Sequence, residues 1–76
     1  RVALPPAFLM QQMMWREALE DGQSDSVRSE VQAEHELALQ QLSAQCAAQN
    51  WNDVAQTLAK YQFIENFLAQ LPSSTQ

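Results

Sequence analysis

Glycine, cysteine and histidine each occur once in this 76-residue chain, as Gly22, Cys46 and His35. Each scarcity removes a class of function. A single Gly leaves no Gly-rich loop to cradle a phosphate. A single Cys allows neither an intrachain disulfide nor a Cys-based zinc site and points to a reducing compartment, the cytoplasm; Cys46 itself is expected as a small buried thiol on a helix. Four Lys and Arg stand against nine Asp and Glu, for a formal net charge of −5. Nucleic acid needs a clustered basic surface, so it is excluded as a partner, and an anionic membrane would repel the chain. No apolar run approaches the ~20 residues that span a bilayer, and no basic, apolar, small-residue leader is present, so a soluble protein is expected. Arg rather than Met at position 1 suits a processed product or a piece of something longer.

Size narrows the choice further. One small domain of this length buries only about 60% of the surface its unfolded chain exposes. Its core leaves little room for an enclosed active site, so an interaction module is favoured over an enzyme. Plentiful Ala and Gln, few β-branched residues and the near absence of Gly predict an all-α fold.

Punctuation marks three helices. Pro5 and Pro6 suit the first turn of a helix over about 6–21, which Gly22 ends. Ser24 or Asp25 is expected to cap a second helix reaching about residue 49, roughly 36 Å long. Asn50 is the expected cap of a third, over about 51–71, with Asp53 completing a pattern like a capping box and Pro72 ending it. Residues 1–6 form a leading segment, 7–71 the domain and 72–76 a polar tail. Short connections between long helices imply an antiparallel three-helix bundle.

The segment FLMQQMMWREAL, Phe8 to Leu19, carries one apolar stripe more than a surface helix needs. At about 100° per residue, Phe8, Trp15, Ala18 and Leu19 share one side, with Gln12 at its edge; Leu9, Met10, Met13 and Met14 form another around Glu17. The first side faces the bundle. The second helix offers Val27, Val31, Ala38, Leu39, Leu42 and Cys46 inward, and the third Trp51, Val54, Leu58, Tyr61, Ile64, Leu68 and Leu71. Phe63 falls far from the middle of that last arc, and Phe67 lies at its margin. An outlying Phe and an outlying Leu/Met stripe joined into one exposed apolar patch would mark a contact site. Methionine fills core gaps as readily as it lines recognition surfaces, so residue type alone does not decide; the angular separation from Phe8 and Trp15 favours a partner surface. Glu17, Glu20 and Asp21 would give it an acidic rim that steers a basic partner.

Catalytic or metal chemistry finds no footing. The run Glu34-His35-Glu36 has neither HExxH nor Glu-x-x-His spacing, and His35 aligns with Val31 and Leu39, as a hydrogen-bonded histidine beside the core would. No catalytic Ser, His and Asp set is recognisable.

The run AFLMQQMMWREALED, followed after a long helix by NWNDVAQTLAKYQFIENFLAQL, resembles the C-terminal domain of HscB, the J-protein co-chaperone of iron–sulfur cluster assembly. AFLM, WREALE, W-x-x-A and K-x-x-F carry the likeness; the middle helix matches in length and pattern. The resemblance implies a three-helix bundle that binds the iron–sulfur scaffold IscU, while a J domain engages the ATPase chaperone HscA. By motif position it assigns scaffold binding to Leu9, Met10, Met13, Glu17, Asp21 and Phe63, and to Met14, where the family usually has an acidic residue. His35 is followed by Glu36 and Leu37, so the His-Pro-Asp tripeptide of a J domain is missing and this chain is expected to bind scaffold without stimulating the ATPase. No cofactor or metal is expected, because one Cys cannot hold a cluster and the cluster belongs to the partner. The alternative is a homodimer of bundles, with Leu9, Met13 and Phe63 as its self-interface.

Overall fold

The computed structural model describes residues 4–71, which form three helices: α1 (Pro6–Glu20), α2 (Ser24–Ala47) and α3 (Trp51–Gln70). The described residues are all-α and make a three-helix bundle; positions 1–3 and the expected stop and tail at 72–76 lie outside them.

Both turns use one device. After α1, Gly22 takes φ 82°; its N–H donates to the Leu19 carbonyl and that of Gln23 to the Ala18 carbonyl, both at 3.0 Å. After α2, Gln49 takes φ 58°; its N–H reaches the Cys46 carbonyl at 3.0 Å, and that of Asn50 the Gln45 carbonyl at 2.9 Å. These paired bonds satisfy carbonyls that a helix end leaves free. Gly suits the left-handed conformation at the first turn, whereas Gln49 adopts it against the usual side-chain preference.

This economy corrects the expected caps. Neither Ser24 nor Asp25 caps α2: the N-cap is Gln23, and Ser24 is already helical. Asn50 does occupy the N-cap of α3, yet its side chain makes no capping bond, so the reciprocal box with Asp53 is not formed. The cause is geometric. Gln23 and Asn50 each close one helix and open the next, which holds their ψ at 45° and 72°, away from the extended conformation from which a cap side chain folds back.

The buried core lies at one end of the molecule. Phe8, Trp15, Val27, Val31, Ile64 and Phe67 form one cluster, with Leu4, Ala18, Leu19, Phe63, Leu68 and Leu71 packed around it. Rings knit α1 to α3. Phe8 meets Trp15 edge-on at 5.9 Å and Phe63 at 5.4 Å, while Trp15 lies 5.5 Å from Phe67; such pairs contribute about 0.5–1.5 kcal/mol each beyond their burial. Lys60 places its ammonium 5.4 Å over the Phe8 ring and 3.4 Å from Glu34, tying all three helices at one level.

α1 is short. Its 15 residues extend about 22 Å, against about 36 Å for the 24 of α2, at about 1.5 Å each. It therefore covers the α2–α3 hairpin only from its open end to about the level of Glu34 and Lys60. Beyond that level, the hairpin extends uncovered to the Gln49 turn, within a molecule 41 Å long.

Four expectations fail in that uncovered half. Leu39, Trp51 and Leu58, expected inside, are exposed, and so is the Cys46 thiol. Two facing helices bury only their shared seam, here Ala38 and Thr57, and among the described residues no third element packs over the flank. Under α1 the error runs the other way: Phe67, expected at the margin, is buried, and Phe63, expected as an outlier, is half-buried between Phe8 and Phe67.

Candidate functional site: the outer face of helix α1

The outer face of α1 is exposed along its whole length. Leu9 is 42% exposed, Met10 67%, Met13 59% and Met14 64%, whereas Phe8 and Trp15 on the opposite side are 3% and 2%. Burial thus separates the two stripes as helical spacing predicts.

Spacing divides the exposed residues into two neighbouring rows. Leu9, Met13 and Arg16 follow one another at i, i+4 and i+7, as do Met10, Met14 and Glu17, with Asp21 one turn on. The first row leads toward α3. Arg16 donates from Nε to Gln12 Oε1 at 2.8 Å, sets its guanidinium 5.7 Å from the Phe67 ring centre, and shares a shallow hollow with Phe63, Asn66, Phe67 and Gln70. The second row leads the other way. Met10 and Met14 border a broader groove of about 490 Å³ with Pro5, Phe8, Gln11, Trp15, Glu30 and Lys60.

Phe63 is placed differently from the expectation. It does not stand out as a free apolar knob; its ring packs edge-on against Phe8 and stacks at 6.3 Å against Phe67, leaving only part of its surface toward the Arg16 hollow. The anticipated single patch is therefore a ridge, the crest of α1, with a separate hollow on each side. Arg16 and Lys60 are additions from the geometry. The signal for Arg16 was present, since it lies three residues beyond Met13; that of Lys60 depends on how α3 faces α1.

Electrostatics make the crest's end unusual. Glu17, Glu20 and Asp21 are exposed at the C-terminal end of α1, and no basic residue occupies that last turn. Carboxylates there oppose the helix dipole, at a cost of about 0.3–1 kcal/mol each, and Glu17 sits three and four residues from two like charges. A local rule broken on an exposed face is expected where function outweighs stability.

The other side of the hairpin holds a polar cluster. His35 Nε2 lies 3.1 Å from Glu65 Oε2, and its ring stacks at 4.6 Å on Tyr61, consistent with a hydrogen-bonded histidine beside the core. Partial desolvation, then the bond to the Glu65 carboxylate and its charge, push the Tyr61 hydroxyl above its ordinary 10.0. Among the described residues no group of three or more His, Cys, Asp or Glu is placed to hold a metal ion, and no helix is long and apolar enough to cross a membrane.

A three-helix bundle that leaves an apolar ridge and an acidic end exposed on α1 defines the class of fold and surface. Comparison with known proteins gives the family. The family described as the HSCB C-terminal oligomerisation domain matches residues 4–71, and the chain belongs to it. The chain is 36% identical over 73 residues to the co-chaperone protein HscB homolog of Aeromonas hydrophila, covering 86% of this chain and 42% of that protein. Its counterpart in Burkholderia thailandensis is 32% identical over 76 residues, covering 91% and 43%, and that of Bordetella avium 36% over 75 residues, covering 91% and 45%. The chain thus spans less than half the length of these relatives. No solved structure gives a significant match.

Proposed function

We propose that this chain is the scaffold-binding arm of an HscB-type co-chaperone: it grips an IscU-type iron–sulfur scaffold protein along the crest of α1 and, joined to a J domain, delivers it to an HscA-type ATPase in the cytoplasm. The observation that carries the reading is the α1 ridge itself, where Leu9, Met10, Met13 and Met14 are exposed on a helix whose other side is locked into the core. Apolar anchors supply affinity, and Glu17 and Asp21 orient a basic region of the partner. Phe63 contributes its exposed part and holds Phe8 beneath the ridge. In this role the domain binds and presents; the cluster stays with the scaffold and the chemistry with the ATPase.

Calorimetric titration with purified IscU-type scaffold tests it. Saturable binding is expected, weakened by about 1–3 kcal/mol in Met13→Ala with helix content unchanged by circular dichroism. Binding that survives both Leu9→Ala and Met13→Ala undiminished would refute the assignment.

A second reading is self-association, which the family's description as an oligomerisation domain favours. Its simplest form would use Leu9, Met13 and Phe63 as the interface between two copies.

A further inference from the structure

Arg16 is an exposed cation in a chain of net charge −5. Glu20 stands four residues on, the helical spacing at which opposite charges can meet. Yet among the described residues no carboxylate pairs with Arg16. Its Nε donates to Gln12 Oε1 at 2.8 Å, and its guanidinium lies 5.7 Å over the Phe67 ring. Both contacts draw the group toward α3 and back from the acidic end of α1.

The surroundings suit a receiving site better than a solvated charge. A guanidinium carries five N–H donors; Gln12 engages the one on Nε, and the terminal nitrogens make no hydrogen bond within the described residues. An Arg braced in this way has already lost part of the rotamer freedom that binding would otherwise remove. It borders a hollow of about 210 Å³ whose other walls are Phe63, Asn66, Phe67 and Gln70, which is room for one side chain. Among the described residues no carboxylate lines that hollow. It is a spot of positive charge ringed by two aromatic rings and two amides on an acidic protein, and a carboxylate matches the paired donors of a guanidinium.

The neighbouring row says which carboxylate can reach it. Arg16 continues the row of Leu9 and Met13, and Phe63 walls the same hollow, so the hollow is continuous with the surface assigned above to the scaffold. Glu17 and Asp21 belong to the adjacent row. Charge of opposite sign therefore lies side by side across the crest, positive toward α3 and negative away from it. A partner that offers a carboxylate to the first and basic groups to the second fits in one orientation; reversed, it sets like charges together.

We propose that the hollow between α1 and α3 receives an Asp or Glu side chain of the bound scaffold, with Arg16 as its charge partner, and that this contact fixes the direction in which the scaffold lies on the crest. The inference rests on the scaffold-binding reading above and adds to it one residue and a charge requirement on the partner.

Calorimetric titration of the full chain with IscU-type scaffold tests the contact, in the parent, Arg16→Gln, Arg16→Glu and Met13→Ala, with circular dichroism verifying each fold. Arg16→Gln should raise the dissociation constant about tenfold, as loss of a hydrogen-bonded charge does, and Arg16→Glu on the order of a hundredfold through like-charge contact. A double-mutant cycle identifies the occupant: the exposed Asp and Glu residues of the scaffold are changed one at a time to their amides, which leaves this chain untouched. One such change should weaken binding to the parent about tenfold and have no further effect on Arg16→Gln. Binding weakened by Met13→Ala but unaltered in Arg16→Gln would leave the scaffold reading standing and overturn this contact. Loss in Arg16→Gln with no scaffold carboxylate coupled to it would overturn the acidic occupant. A parent that does not bind scaffold would overturn the reading and this inference with it.

Discussion

The two halves of the α2–α3 hairpin are made of similar helix but live in different surroundings. Under α1, the hairpin holds Val27, Val31, Ile64 and Phe67 in a core with Phe8 and Trp15, and its surroundings carry most of the charge. Beyond α1, the same two helices bury little more than Ala38 and Thr57 and are almost uncharged. A helix's inward face is thus set by what stands beside it at each level, not by its sequence alone. Stability is concentrated in the covered half and apolar surface is left over in the other.

The two tryptophans give the sharpest way to break this comparison. Trp15→Ala is expected to cost about 3–5 kcal/mol, the range for buried aromatic truncations, whereas Trp51→Ala should change stability by less than about 0.5 kcal/mol in the single-copy state. Urea denaturation at low protein concentration measures both. Equal losses would mean that the far half contributes to the core as fully as the near half.

Phe63→Ala should fall between them, at about 1–3 kcal/mol, because a half-buried ring loses packing against Phe8 and Phe67 but not a full core site. The Phe63→Leu variant sharpens the point: it should restore much of the stability, and thermal unfolding beside scaffold titration would show whether the ring's loss acts through the fold or through the interface.

The turns at the two ends of α2 compare a favourable residue with an unfavourable one. Gln49→Gly is expected to stabilise by about 1 kcal/mol through relief of the left-handed backbone, and Gly22→Ala to destabilise by a similar amount. A Cβ at Gly22 would meet nothing within 4 Å, so the second cost is conformational rather than steric. Chemical denaturation midpoints would reveal opposite shifts.

Smaller effects follow from charge. Glu17→Lys should raise stability by about 0.3–1 kcal/mol by reversing the sign against the helix dipole and weaken scaffold binding in the same variant; a gain in both would detach the acidic end from function. Tyr61 gives the smallest effect. Its folded-state pKa lies above the unfolded value, so its contribution is complete below about pH 10 and is lost as pH rises through the raised folded value. Alkaline unfolding of the parent should accordingly steepen relative to Tyr61→Phe.

How far the molecule can be read from its sequence follows the same division. Three helices and the opposed stripes of α1 were legible, because Pro6, Gly22 and the i, i+7, i+11 spacing of Phe8, Trp15 and Leu19 act locally. The inward arc of α3 was not. Its apparent stripe from Trp51 through Leu58 to Leu68 assumes one neighbour along the whole helix, but α3 faces α1 and α2 together near Ile64 and Phe67, and α2 alone near Thr57. Periodicity cannot show where α1 ends. The caps were misread for a related reason: Gln23 and Asn50 each serve two helices, and a residue committed to closing one is not free to fold its side chain over the next. For the site, the resemblance supplied the residues and helical spacing their exposure; that Phe63 is pinned between Phe8 and Phe67 required the third dimension.

The central claim is that the crest of α1 takes the scaffold while the far half of the hairpin does not. Backbone and methyl NMR shifts of the isotopically labelled chain, followed as unlabelled IscU-type scaffold is added, test it most directly. The account expects the changes to centre on Leu9, Met10, Met13, Met14, Glu17 and Asp21, with Phe63 at their edge and Leu39, Trp51 and Leu58 unmoved. Changes centred on Leu39, Trp51 and Leu58, with a silent α1, would contradict it.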